Sequence, residues 1–463
     1  MTVKFGLARG LLAGWLALVV AGCASRVENA PLNRPTSAAF AAETHSVNGD
    51  DALKSTIVGL AFSGGGTRAS AFSFGVLRGL ARADTSGGGN YLEQVRFVSG
   101  VSGGSITAAY FGLRGPNILS DFEARFLYRD AEEGLRTTVY SPENLARALD
   151  SGVNDRSNFP KWLSKNLFGN ATFGDLNRPG RPTVWINASD IYSKTPFIFE
   201  PVTFGAICSD LASYPVAEAV AASAAVPIVF APTVVESYAE RCNFQMPEHL
   251  TRAGSGREAS PTAKAYLDAL KKYRDPQSGK FIKLLDGGLT DNWGLQGVNV
   301  ALASSPEPWK PLSREDAIAL TEFLFVVVDA GRLQEGDWTR TLEGPSGSEL
   351  LNAVTDTAVD SAVRSSFEVF RLQMQMWQER LRSWRCGLPS GDVEAVRGSL
   401  EGWDCRAVSI RVRKVSFEDL GREAAQKLGR IPTRLKLAPE QVKAAIDAGE
   451  QAIRKMLAED GRS

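Results

Sequence analysis

Histidine is almost missing from this chain: 463 residues carry two, His45 and His249. Imidazole is the usual base for activating a serine hydroxyl, so serine chemistry here needs another base or an unusual fold-back. Charge excess is missing too. Lys plus Arg and Asp plus Glu both total 52, which leaves no electrostatic footprint for nucleic acid. The one long apolar run, residues 11–21, is too short for a comfortable membrane span. No repeat or low-complexity stretch organises the rest. A Gly-Lys-Ser/Thr phosphate loop is absent and the dinucleotide fingerprint is incomplete, which excludes the common nucleotide-binding loops. Five cysteines occur, and their spacings do not resemble a zinc site.

What is present begins at the N-terminus. Lys4 and Arg9 precede the apolar run, which ends in Val20-Ala21-Gly22-Cys23. That ending resembles the lipobox of bacterial lipoproteins. The resemblance implies a signal peptide over residues 1–22, cleavage before Cys23, and lipid on its thiol and new amino group. Two or more acyl chains make such an anchor stable. Ala24 stands where an aspartate would resemble an inner-membrane retention signal, so an exported, outer-membrane-anchored protein of the cell envelope is expected. Residues 23–55 then read as anchor and flexible tether, poor in large apolar residues. In an exported chain the four remaining cysteines permit two disulfides. Sequence-local pairing makes them Cys208–Cys242 and Cys386–Cys405, one of three connectivities.

Short continuous apolar runs at 57–62, 95–99, 183–187, 197–199, 281–285 and 323–328 read as buried strands. Helical spacing falls between most of them, at 69–81, 105–113 and 216–225. That alternation predicts an α/β fold, three-layered α/β/α with a mostly parallel central sheet. The domain is expected over 56–340, with a polar surface insertion at 246–278 that includes a helix at 262–273. A C-terminal helical extension over 341–463 carries a late strand at 408–412 and a helix at 439–457. Within it Val359, Val363, Phe367, Phe370, Met374, Trp377, Leu381 and Trp384 form one apolar face of a long amphipathic helix. Packing against the main domain is the first reading of that face; a lipid-facing or partner-binding surface is the alternative.

Chemistry concentrates in glycine-framed segments. Gly100-Val101-Ser102-Gly103-Gly104 follows a strand and reads as a nucleophile elbow, a serine exposed on a tight strand–helix turn. Gly64-Gly65-Gly66-Thr67-Arg68 offers backbone N–H groups at a helix start, suited to a developing oxyanion. Arg68 adds positive charge, either steadying the loop or meeting a lipid phosphate. Asp286-Gly287-Gly288 ends a strand and brings a carboxylate to a sheet edge. With Ser223-Ala224-Ala225-Val226-Pro227, Phe230 and Pro232, these segments occur in the order of the patatin-like phospholipases, which the chain resembles over about 57–299. The resemblance implies a Ser102–Asp286 dyad and an oxyanion hole at Gly64, Gly65, Gly66 and Arg68, with Ala69 where the family has a further glycine. Partial burial is expected to raise the Asp286 pKa and improve it as a base. Asn292 is a candidate for orienting the loop, and Asp329 a second, weaker candidate carboxylate.

The expected protein is therefore a membrane-anchored serine acyl hydrolase of phospholipids or lysophospholipids, without metal or organic cofactor. Membrane lipid is its expected partner and nucleic acid is not. An acyltransferase or small-ester esterase with the same dyad is the alternative within enzymes. A non-catalytic lipoprotein platform is the alternative outside them.

Overall fold

The computed structural model describes residues 29–36, 53–85, 88–136, 144, 147, 152–255, 261–303, 307–332, 342, 344 and 347–460. Cys23, His45 and the signal segment lie outside these residues. Along the chain the elements that position the site are β1 (Thr56–Phe62), α1 (Gly66–Leu80), β2 (Val95–Val101), α2 (Gly103–Arg114), β3 (Thr183–Asp190) and β4 (Thr195–Phe199). They continue with α3 (Val216–Ser223), β5 (Thr233–Glu236), α4 (Pro261–Arg274), β6 (Phe281–Asp286) and β7 (Glu322–Asp329). Last come α5 (Gly347–Cys386), β8 (Ser409–Ser416) and α6 (Pro439–Asp460).

The strands form one sheet in the order β5-β6-β3-β2-β1-β7-β8, with β4 also paired to β3. Neighbours from β3 through β8 are parallel, whereas β6 and β4 run antiparallel to β3, and β5 antiparallel to β6. Every residue of β1 and β2 is buried, as expected of central parallel strands covered on both faces. The expected α/β architecture is present: a mostly parallel sheet flanked by helices. The four-residue β5 escapes the sequence pattern, because Thr-Val-Val-Glu is too short for a period to register.

The residues past 340 pack into the same sheet and helical layers as the rest. β8 pairs with β7 along its full length, from Glu322–Ser409 to Asp329–Ser416. Helix α6 lies directly on α1. A Cβ at Gly75 would stand 2.0 Å from the Ile446 carbonyl oxygen, and one at Gly449 would stand 2.1 Å from that of Phe72. Glycine on both helices thus allows backbone-to-backbone contact, which is why nearly all of α1 is buried. Helix α5 packs its apolar face on the sheet, with Phe370 against Phe325 at 4.8 Å and Trp377 against Phe323 at 5.3 Å. Each such buried ring contributes roughly 1.5–3 kcal/mol through lost apolar hydration.

Residues 29–36, within the stretch read as a free tether, lie docked against the domain. Asn33 is buried and donates through Nδ2 to the Glu236 carbonyl at 2.7 Å, while the Thr36 amide donates to the Cys208 carbonyl at 2.9 Å. Their polar composition suited a tether, but the same amides and carbonyls found partners in the β5 region. The structure joins Cys208 to Cys242 and Cys386 to Cys405.

Candidate active site

The carboxyl ends of β1, β2, β3 and β7 meet at one sheet edge, the position where open α/β sheets bind ligands. β2 turns into α2 at Ser102, whose φ of 50° and ψ of −122° are strained for a residue with a side chain. Glycine on both sides makes the turn possible. A Cβ at Gly103 would stand 1.9 Å from the Gly66 carbonyl oxygen, and one at Gly104 2.4 Å from that of Phe62. At Gly100 it would meet the Ser105 Cα at 2.6 Å. The elbow and the glycine loop after β1 are therefore pressed together.

Asp286 closes β6 beside this serine. The Ser102 hydroxyl lies near enough to the Asp286 carboxyl group to favour its charged form. The Gly288 amide donates to Asp286 Oδ1 at 2.8 Å. Burial raises the Asp286 pKa to about 6, against the opposing pull of the Gly288 amide and the Ser102 hydroxyl. Desolvation penalises the charged form more than these two groups recover. At Gly287 a Cβ would stand 2.2 Å from the Asn187 carbonyl oxygen, so this glycine lets β6 turn tightly against β3.

A buried polar network supports both residues, and sequence reasoning missed most of it. The Ser102 amide donates to Ser223 Oγ at 2.9 Å, and Ser223 donates onward to the Asn187 carbonyl at 2.6 Å. The Asp286 and Gly287 amides donate to the Ala225 and Ser223 carbonyls. Asn187 Nδ2 donates to Ser99 Oγ and to the Gly100 carbonyl, and Ser189 Oγ donates to the Asp286 carbonyl at 2.8 Å. The Ser223 hydroxyl thus links the elbow to β3. The available signal was polar residues interrupting apolar strands: Ser99, Asn187 and Ser189.

The glycine loop divides its labour. The Gly64 amide donates to the Asn292 carbonyl at 3.1 Å, so it is committed and does not supply the oxyanion donor expected of it. Gly65 and Gly66 take φ of 137° and 58° at the start of α1, and Gly103 begins α2. Their amides are first-turn helix donors, and none of the three has a hydrogen-bond partner among the described residues. Arg68 is buried, and its guanidinium donates to the carbonyls of Ala330 at 3.0 Å and Ile431 at 2.5 Å. It steadies the loop by pinning the C-terminal segment, and it also lines the cleft beside Ser102. The contact of Gly64 to Asn292 is made by the Asn292 backbone carbonyl.

Ser102 and Asp286 line a cleft of about 520 Å³ together with Gly64, Gly65, Val226 and Leu289. Its other wall comes from β7, β8 and the chain beyond: Asp329, Lys414, Phe417 and Glu418. Asp329 faces Lys414 Nζ at 3.9 Å across this wall. His249 lies in a short helix, Glu248–Ala253, and is not part of the cleft lining. Among the described residues no helix is long and apolar enough to cross a membrane.

A mostly parallel α/β sheet with a serine on a strained strand–helix turn beside a buried carboxyl group defines the class. Residues 60–298 match the family model of patatin-like phospholipases. The chain belongs to that family, and membership supports lipid acyl hydrolysis. Among solved structures it is similar to VipD from Legionella pneumophila, at 13% identity and a TM-score of 0.33, covering 95% of this chain and 72% of that one. It is also similar to human GIVD cytosolic phospholipase A2, at 13% identity and a TM-score of 0.32, covering 60% and 46%. A comparison with curated protein sequences yields no match.

Proposed function

We propose that the protein hydrolyses fatty-acyl esters of phospholipids or lysophospholipids through a Ser102–Asp286 dyad. Ser102 Oγ attacks the ester carbonyl while its proton passes to Asp286. The Gly65, Gly66 and Gly103 amides stabilise the oxyanion, aided by the positive ends of α1 and α2. The collapsing intermediate expels the lysolipid alcohol, which takes the proton back from Asp286. Water then gives a proton to the same carboxylate and attacks the acyl-serine; Ser102 Oγ leaves by taking that proton from Asp286, freeing the fatty acid. The observation that carries this reading is Ser102, held at φ 50° in one cleft with a carboxyl group whose pKa burial lifts to about 6.

A fluorophosphonate probe tests it. Covalent labelling of the folded protein, lost in Ser102→Ala, is expected. Folded wild type that takes no label favours the non-catalytic platform. Loss of turnover in His249→Ala with retention in Asp286→Ala overturns the base assignment. Product analysis with lipids carrying distinct acyl chains separates hydrolase from transferase. The proposal includes tethering at the outer membrane through acylated Cys23, checked by palmitate labelling that disappears in Cys23→Ser.

A further inference from the structure

Seven of the fifteen large hydrophobic side chains exposed among the described residues sit on segments that meet around β3, β5 and β6. Two of them, Val226 and Leu289, line the cleft, and Ile228 and Val229 follow Pro227 outside its lining. The loop that carries them is held rigid at a conformational cost. Ile228 has φ 71°, an outlier for a β-branched residue. The Val153 amide donates to the Ile228 carbonyl at 3.0 Å. Asn154, wholly buried, clamps the Val229 carbonyl through its amide at 2.9 Å and its side chain at 3.0 Å. Buried polar groups thus hold consecutive apolar side chains out in water.

The remaining three, Ile191, Tyr192 and Phe281, lie past the same sheet edge. β3 runs three residues beyond Asn187, the partner of Val101, before turning at Ile191. β6 begins at Phe281 and comes back toward Asp286, antiparallel to β3. Lysines collar these rings. Lys272 Nζ stands 5.4 Å from the Tyr192 ring centre, and Lys283 Nζ stands 5.8 Å from that of Phe281. Lys194 is exposed in the same turn. The nearby Glu236 is neutralised by Lys280 at 2.6 Å, and Asp190 is buried against the Tyr273 hydroxyl.

We infer that this face is a docking surface for a phospholipid bilayer bearing anionic headgroups, an inference that rests on the lipolytic reading of the cleft. Aliphatic side chains around the opening enter the acyl region. Tyr192 and Phe281 lie at headgroup level with their lysines, the arrangement of aromatic and basic residues that suits a bilayer interface. The cleft then opens into the membrane, and a lipid reaches Ser102 without crossing bulk water.

Cosedimentation tests the surface apart from the chemistry. The full chain carrying Cys23→Ser and Ser102→Ala, so that neither an acyl anchor nor hydrolysis contributes, is mixed with phosphatidylcholine vesicles with and without phosphatidylglycerol. Binding that grows with phosphatidylglycerol is expected. Adding Val229→Asp is expected to weaken it about tenfold or more, on the transfer free energy of one valine, and Tyr192→Ser with Phe281→Ser to weaken it as well. Absence of binding, or variants that bind like the parent, overturns the inference. In the Ser102 protein, the same variants are expected to lose vesicle hydrolysis while turnover of a short-chain ester in free solution stays within about twofold, as for surface changes away from a site. Equal loss on both substrates also overturns it. A parent that binds vesicles but turns over neither substrate refutes the catalytic reading and leaves the docking face standing.

Discussion

Replacing Asp286 by asparagine separates catalysis from stability. Its carboxyl pKa stands near 6 against an ordinary 3.8, because burial disfavours the anion. For an acid with a raised native pKa, the folded state binds protons more tightly than the unfolded one. The charged form therefore costs stability above pH 6, and that cost disappears as pH falls from about 6 to about 4. At 1.36 kcal/mol per unit the cost is about 3 kcal/mol at neutral pH. Asp286→Asn is expected to recover up to that amount in urea denaturation at pH 7.5, and much less at pH 4.5. The same variant should lose nearly all turnover of a soluble ester. In the wild type, kcat/KM should fall as pH drops through about 6, approaching tenfold per unit, because only the anion accepts the serine proton. An inactive variant no more stable at pH 7.5 than wild type, or a wild-type acid limb near pH 4, refutes the reasoning.

Ser223→Ala removes the acceptor for the Ser102 amide and the donor to the Asn187 carbonyl. It should cost about 1–3 kcal/mol in chemical denaturation and lower kcat more than it raises KM, since no substrate contact is lost. Gly449→Val places a branched side chain against the Phe72 carbonyl, where even a Cβ stands at 2.1 Å. It should destabilise by about 3 kcal/mol or more, through overpacking of α1 against α6, and thermal unfolding checks it. Probe labelling of Ser102 should fall with it, because α1 carries the glycine loop.

The motifs were legible because each is local. Glycines bracketing Ser102 and following Asp286 answer to backbone clashes between residues that a tight turn brings together. The missing histidine pointed to a carboxylate base by chemistry alone. The central strands were legible too, because a parallel strand buried on both faces is a continuous apolar run. The helix over 347–386 declared its packed face by period.

Other features depended on contacts between distant segments. Gly64 sits in the motif like its neighbours, yet its amide is bonded to Asn292, more than two hundred residues later. Arg68 is spent on two carbonyls of the C-terminal half. Polar residues 29–36 look like a tether until β5 supplies their partners. The chain beyond 340 resembles an appendage in sequence, but β8 completes the sheet and helps to wall the cleft.

From the sequence alone came the fold class, the serine, the carboxylate and their order, since steric demands at turns and apolar runs in strands act between near neighbours. Only the tertiary structure decided which glycine amides remain unpaired beside Ser102, why the Asp286 pKa is raised, and which segments wall the cleft. Those depend on desolvation and on hydrogen-bond partners drawn from across the chain, and no local pattern encodes them.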